Sequence, residues 1–226
     1  MENIILNIET ATKNCSVSLS KNGMFLDIIE YVGEGYSHAE KLHVFIDKIL
    51  KNNHIATTDL SAIAVSKGPG SYTGLRIGVS AAKGLAYSLQ IPLISVSTLV
   101  SMAQQIQQPD VVIIPLIDAR RMEVYSLVYL NNQIIRQVQA DILDEHSYKT
   151  YLDNHKVVFI GDGVAKTKEI IKHKNAIFSD IKYPSAKEMI KLSYQKWIEN
   201  NFEDVAYFEP FYLKDFITTA KRKKYF

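Results

Sequence analysis

Hydrophobic and polar positions repeat along this chain with two different periods, and the switches between them mark out its elements. Short runs dense in branched apolar residues predict buried strands at 4–8, 63–66, 91–96, 111–117 and 157–160. Further strands are expected at 16–20, where the pattern alternates, and at 24–29, 122–130 and 133–138. Lys21, Asn22 and Gly23 read as a hairpin turn, and Asn131 with Asn132 as another. Helical spacing over 36–50 puts Ala39, Leu42, Phe45, Ile46 and Ile49 on one apolar stripe, with Ser37 and Glu40 placed as a capping box. Helices are also expected over 75–90 and 144–153, and in a stretch ending near His173. One more runs from a Ser185–Glu188 capping box to about Asn200.

The order βββαβα therefore occurs twice, which predicts an α/β protein of two similar lobes. A Ser-capped helix running into a Gln-rich stretch at 97–109 places the boundary there, giving lobes 1–100 and 101–226. The chain has 226 residues and 47% hydrophobic content, enough for a sizeable core. A net charge of +2 gives no argument for nucleic acid, although Lys221, Arg222, Lys223 and Lys224 form a basic tail. The single cysteine, Cys15, excludes an internal disulfide and fits a reducing compartment. Glu2 and Asn3 lead straight into a short strand, and no segment approaches a membrane span, so the expectation is a cytoplasmic protein without membrane contact.

The stretch with the most chemistry in it is 67–90, KGPGSYTGLRIGVSAAKGLAYSLQ. Gly68, Gly70 and Gly74 shape a loop between a strand and a helix, which could hold an anion or simply make a tight turn. Its spacing is one residue too long for a dinucleotide fingerprint. It contains no phosphate-loop motif, and Ser71 stands in the wrong place for a nucleophile elbow. In the following helix, Gly74, Gly78 and Ala82 lie four apart on a nearly bare face. Glycine costs about 1 kcal/mol relative to alanine in a helix interior, so the close approach of another helix is expected to compensate for Gly78 and Gly84.

GPGSYTGLRIGVSAAKGLA, together with Ile113, Pro115, Leu116, Ile117, Asp118, Ala119, Arg120, Arg121, Glu123, Val124 and Tyr125, resembles the TsaB (YeaZ) family. The resemblance runs from Ile4 to about Tyr129 and implies a two-lobed actin/hexokinase-like ATPase fold. It further implies a noncatalytic subunit of the bacterial tRNA threonylcarbamoyladenosine (t6A) machinery that binds and activates a TsaD-type transferase. A TsaE-type ATPase would be a further partner, tRNA an indirect one, and a homodimer would form when the transferase is absent. The helices at 36–50 and 75–90 would make the interface, through Leu42, Phe45, Ile46, Leu75, Gly78, Val79 and Ala82. On this view Gly78→Leu weakens partner binding and leaves the fold intact.

Two enzymatic readings compete. An ATP-dependent enzyme of the same fold would use an acidic residue at the end of each lobe's first strand, here Glu9 and Asp118, with Gly68, Gly70, Ser71 and Arg120 near the nucleotide. Glu9 stands where aspartate is more usual, and the loops at 10–14 and 119–121 are poor in glycine, which argues against intrinsic turnover. No intrinsic cofactor is then expected, with ATP or ADP held, if anywhere, at the partner interface. A glycoprotease-like metallopeptidase would need a paired metal ligand on a helix. His38 and His43 are five residues apart, about 140° around a helix, so no metal site is expected. Arg120, Arg121 and Glu123 cluster at a turn that could face nucleotide, a partner or water.

Overall fold

The computed structural model describes residues 2–33 and 38–214. Ser37 of the expected Ser37–Glu40 capping box and the basic run at 221–224 lie outside them. The first half builds β1 (Ile4–Glu9), β2 (Asn14–Lys21), β3 (Met24–Val32), α1 (His38–Asn52), β4 (Ala62–Gly68), α2 (Tyr72–Leu89), β5 (Leu93–Ser97) and α3 (Thr98–Ala103). The second half repeats the order with β6 (Val112–Asp118), β7 (Glu123–Leu130), β8 (Gln133–Ile142), α4 (Lys149–Leu152), β9 (Val157–Ile160), α5 (Val164–Ile170), β10 (Ala176–Phe178) and α6 (Met189–Ile198).

The two sheets are copies of one topology. Their strand orders are β3-β2-β1-β4-β5 and β8-β7-β6-β9-β10. In each, the first strand pairs antiparallel with the second and parallel with the fourth. The expected turns join the hairpins: Asn22 and Gly23 have φ of 53° and 75°, Asn131 and Asn132 of 46° and 62°. Two successive left-handed residues give the twist that a two-residue hairpin needs.

β1 is buried along its whole length because both faces of its sheet are covered. Leu6, Ile8, Ile63 and Val65 face α1 and α2. Ile5, Ala62, Ala64 and Ile94 face Ala186 and Met189 on the other side. Against the expected boundary near residue 100, the described residues 101–214 do not all pack on the second sheet, since α6 lies on the first, and Glu203 bridges to Leu93 of β5. The reason is an unmet apolar surface: α1 and α2 cover one face of the first sheet, and α6 covers the other.

Local chemistry explains where element ends differ from expectation. α2 begins at Tyr72, three residues early, because the Ser71 hydroxyl accepts from the Gly74 amide at 3.2 Å. The helix expected at 144–153 shrinks to α4, since the Asp144 carboxylate accepts from the His146 amide and the Ser147 hydroxyl instead. Ser185 does not form its box; its hydroxyl donates to Glu30, and α6 starts after Glu188. β10, three residues long, has too short a pattern to read. No helix among the described residues is long and apolar enough to cross a membrane.

Candidate functional site

Two concave features flank α2. The first is a cleft of about 390 Å³ between the lobes, lined on one side by Ala11, Lys13, Gly70 and Ser71 and on the other by Asp118, Arg120 and Asp162. Of the residues expected near a nucleotide, it brings together Gly70, Ser71, Asp118 and Arg120. Glu9 and Gly68 do not line it.

Asp118, at the end of β6, is partly exposed and tied down. Its Oδ1 accepts from the Arg120 amide at 2.6 Å and from Lys166 Nζ at 2.7 Å, and its own amide donates to Asp162 at 2.8 Å. Lys166 also donates to the carbonyls of Arg121 and Glu123, both at 2.8 Å, and so holds the whole turn. Arg120 and Arg121 both adopt positive φ, 70° and 49°, and stay exposed.

Glu9, at the matching end of β1, is fully buried. Its Oε1 accepts from the Ala11 amide at 2.6 Å and from the Ser66 hydroxyl at 2.8 Å, and Oε2 has no partner among the described residues. Burial pushes this carboxyl up to about 7, against the pull of its hydrogen bonds to Ala11 and Ser66. The side chain fastens the end of β1 to β4 and does not reach the cleft.

The glycine row of α2 has an occupant within the chain. A Cβ on Gly70 would stand 2.4 Å from the Ala11 carbonyl oxygen. One on Gly74 would meet the Thr10 carbonyl oxygen at 2.1 Å, and one on Gly78 would meet Thr10 Oγ1 at 2.2 Å. The β1–β2 loop therefore lies directly against the helix. Thr10 Oγ1 donates to the Gly74 carbonyl at 2.8 Å, and the Ser71 amide donates to the Ala11 carbonyl at 2.7 Å.

This corrects the expected interface. Leu42, Ile46, Leu75, Gly78, Val79 and Ala82 are buried inside the first lobe, and Phe45 is half-buried against the same core. An amphipathic helix on a sheet must bury its most apolar stripe, and here that stripe includes the 74/78/82 row. Because Gly78 is packed against Thr10, the expectation that Gly78→Leu leaves the fold intact does not hold. What α1 and α2 leave open is the second concave feature, a groove of about 450 Å³ lined by Ala39, His43, Ile77, Ser80, Ala81, Gly84 and Leu85. A Cβ on Gly84 would meet nothing within 4 Å. Gly84 lies off the 74/78/82 row, and helical spacing alone gave no sign of what it faces.

His38 is buried with Nε2 2.8 Å from the Thr12 carbonyl, while His43 is exposed, so the two rings point apart. Among the described residues no three His, Cys, Asp or Glu side chains gather as a metal site. Cys15 is a buried thiol, pushed up to about 11 by desolvation.

Two sheets of identical topology, facing each other across a cleft at the ends of their first strands, define an actin/hexokinase-like ATPase fold. The family model for TsaD, tRNA N6-adenosine threonylcarbamoyltransferase, matches residues 35–221. The tRNA threonylcarbamoyladenosine biosynthesis protein TsaB of Haemophilus influenzae is 30% identical over 98% of this chain and 98% of its own length. The TsaB of Escherichia coli is 30% identical over 96% of this chain and 97% of its own. The structure of YeaZ from Pseudomonas aeruginosa superposes with a TM-score of 0.79 at 26% identity, covering 93% of this chain and 100% of that one. The chain belongs to the TsaB family.

The two kinds of helical glycine should respond oppositely to alanine. Gly78→Ala forces Thr10 away from α2 and is expected to cost about 1–3 kcal/mol, the usual range for overpacking. Gly84→Ala adds a methyl group in open space and should stabilise by up to about 1 kcal/mol. Urea unfolding of the two variants measures both signs. Glu9 carries a pH dependence. Its folded value of about 7 exceeds the ordinary 4.5, so its stabilising share is complete below pH 4.5, declines from there, and is lost above about 7. The loss is on the order of 3 kcal/mol at about 1.4 kcal/mol per unit. Glu9→Gln keeps an acceptor for Ala11 and Ser66 and cannot ionise, so its melting temperature should fall less than the wild type's between pH 5 and pH 8.

Proposed function

We propose that this chain is a noncatalytic subunit of the t6A modification complex, and that it binds and activates a TsaD-type transferase through the groove between α1 and α2. The observation that carries the reading is the contrast between the two concave features. Two features of the cleft support a noncatalytic role: the carboxylate of β1 is sequestered with Ser66 and Ala11, and the β1–β2 loop is pressed onto α2. The groove is apolar, open and built on two long helices, and Gly84 leaves room for a partner's backbone.

His43 is the one titratable side chain among the groove residues, so a partner that covers it meets an otherwise neutral surface. The same groove is a self-complementary place for two copies to pair when the transferase is absent. A TsaE-type ATPase completes the set of partners. ATP or ADP belongs at the partner interface in this reading, and tRNA is reached through the transferase, all in the cytoplasm.

Threonylcarbamoyl transfer to tRNA in a reconstituted system tests the proposal, with the chain present, omitted, or replaced by Gly84→Leu. Leucine at this position fills the groove and favours the helix, so the variant stays folded. Transfer is expected to depend on the chain and to fall at least about tenfold with the variant, equivalent to about 1.4 kcal/mol of docking energy. Undiminished transfer without the chain overturns the role. Full transfer with Gly84→Leu overturns the groove alone.

A further inference from the structure

Among the described residues the chain crosses between its lobes twice, once through α3 and residues 104–111 and once through residues 179–188. The two crossings are joined where Gln105 Nε2 donates to the Tyr183 carbonyl at 3.1 Å. The second is also fastened at both ends. On the first lobe Asn14 donates to the Pro184 carbonyl at 2.9 Å and Ser18 to the Ala186 carbonyl at 2.8 Å. On the second lobe the Gly161 amide donates to the Ile181 carbonyl at 2.7 Å. Two adjacent crossings joined to each other form the kind of connection about which lobes can turn.

After α6 the chain runs as a strap along the first lobe. The Glu203 amide donates to the Leu93 carbonyl at 2.8 Å, and Lys83 Nζ of α2 donates to the carbonyls of Ala206 and Phe208 at 3.1 and 2.9 Å. The Phe211 amide donates to the Lys67 carbonyl at 2.7 Å. Tyr212 packs on Tyr72 with ring centroids 5.0 Å apart, and Arg76 Nε donates to its hydroxyl at 3.2 Å. Phe211, Tyr212, Leu213 and Lys214 then form one wall of the cleft, and Lys214 pairs with Glu123, the first residue of β7 in the other lobe.

We propose that this strap is a latch: anchored along α2 and β5, it reaches over the cleft to Glu123 and holds the two lobes in a closed arrangement. The anchoring is many-membered on the first lobe, whereas the Lys214–Glu123 contact on the second is a partly exposed ion pair, with side-chain exposures of 45% and 18%. Such a pair biases a lobe arrangement without locking it, and salt weakens it. The latch does not depend on the identity of any partner.

Spin labels on Lys48→Cys and Glu169→Cys, both exposed and one on each lobe, report lobe separation in the otherwise intact chain; buried Cys15 stays unlabelled. A narrow distance distribution is expected for the parent. Tyr212→Ala with Lys214→Ala should broaden it and lengthen its mean, and high salt should move the parent the same way. Amide hydrogen exchange at 118–121 should quicken about tenfold in the double variant. If that variant fails to fold by circular dichroism, Lys214→Gln, a change of one exposed side chain, is read by the same distance. A folded latch variant with an unchanged distribution and unchanged exchange overturns the proposal.

Discussion

The close approach of the β1–β2 loop to α2 organises the first lobe. Backbone atoms of Thr10 and Ala11 stand where side chains at Gly70 and Gly74 would be, and Thr10 Oγ1 stands where one at Gly78 would be. A strand-to-strand loop and a helix can come this near only if the helix surface is almost bare backbone. In exchange α2 is held at a defined depth on the sheet by two hydrogen bonds, from Thr10 to the Gly74 carbonyl and from Ser71 to Ala11. That depth decides which side of α2 is spent on the core and which remains for other uses. It also fixes the position of Ala11 and Lys13 at the wall of the cleft. One contact thus sets both one wall of the cleft and the side of the helix pair that stays exposed.

The two lobes share a topology and differ where it matters chemically. Each first strand ends in a carboxylate, but Glu9 is folded back into the interior and held there, while Asp118 stays at the cleft and organises a turn with Lys166 and Asp162. A buried carboxyl with one unpartnered oxygen is an electrostatic cost. The first lobe tolerates it because the same side chain closes the end of β1 onto β4, next to the loop that seats α2.

The duplicated fold was legible because its signals are local. Apolar runs, Asn-Gly and Asn-Asn turns and a long apolar stripe on α1 each state their element directly, and the order of elements then implies the architecture. Glycines 74, 78 and 84 were legible as exceptional but not as to what they approach, since helical spacing says which residues share a face and nothing about what lies opposite. Gly78 proved to face Thr10 and Gly84 to face open space. Glu9 was readable as the end of β1, yet its direction depends on Ser66, distant in sequence. The placement of α6 on the first sheet was equally hidden, because an apolar helix carries no label for the sheet it will cover.

That last placement bears on how the protein is made. A ribosome releases the first sheet and its two covering helices early, yet the face formed by Ile5, Ala64 and Ile94 meets Met189 only after the whole second sheet has been made. During synthesis the leading lobe therefore carries a bare apolar plane through the entire production of the trailing one. A late helix is thus the seal on an early sheet, and a nascent chain stalled before α6 presents that plane to chaperones and to other unfinished chains.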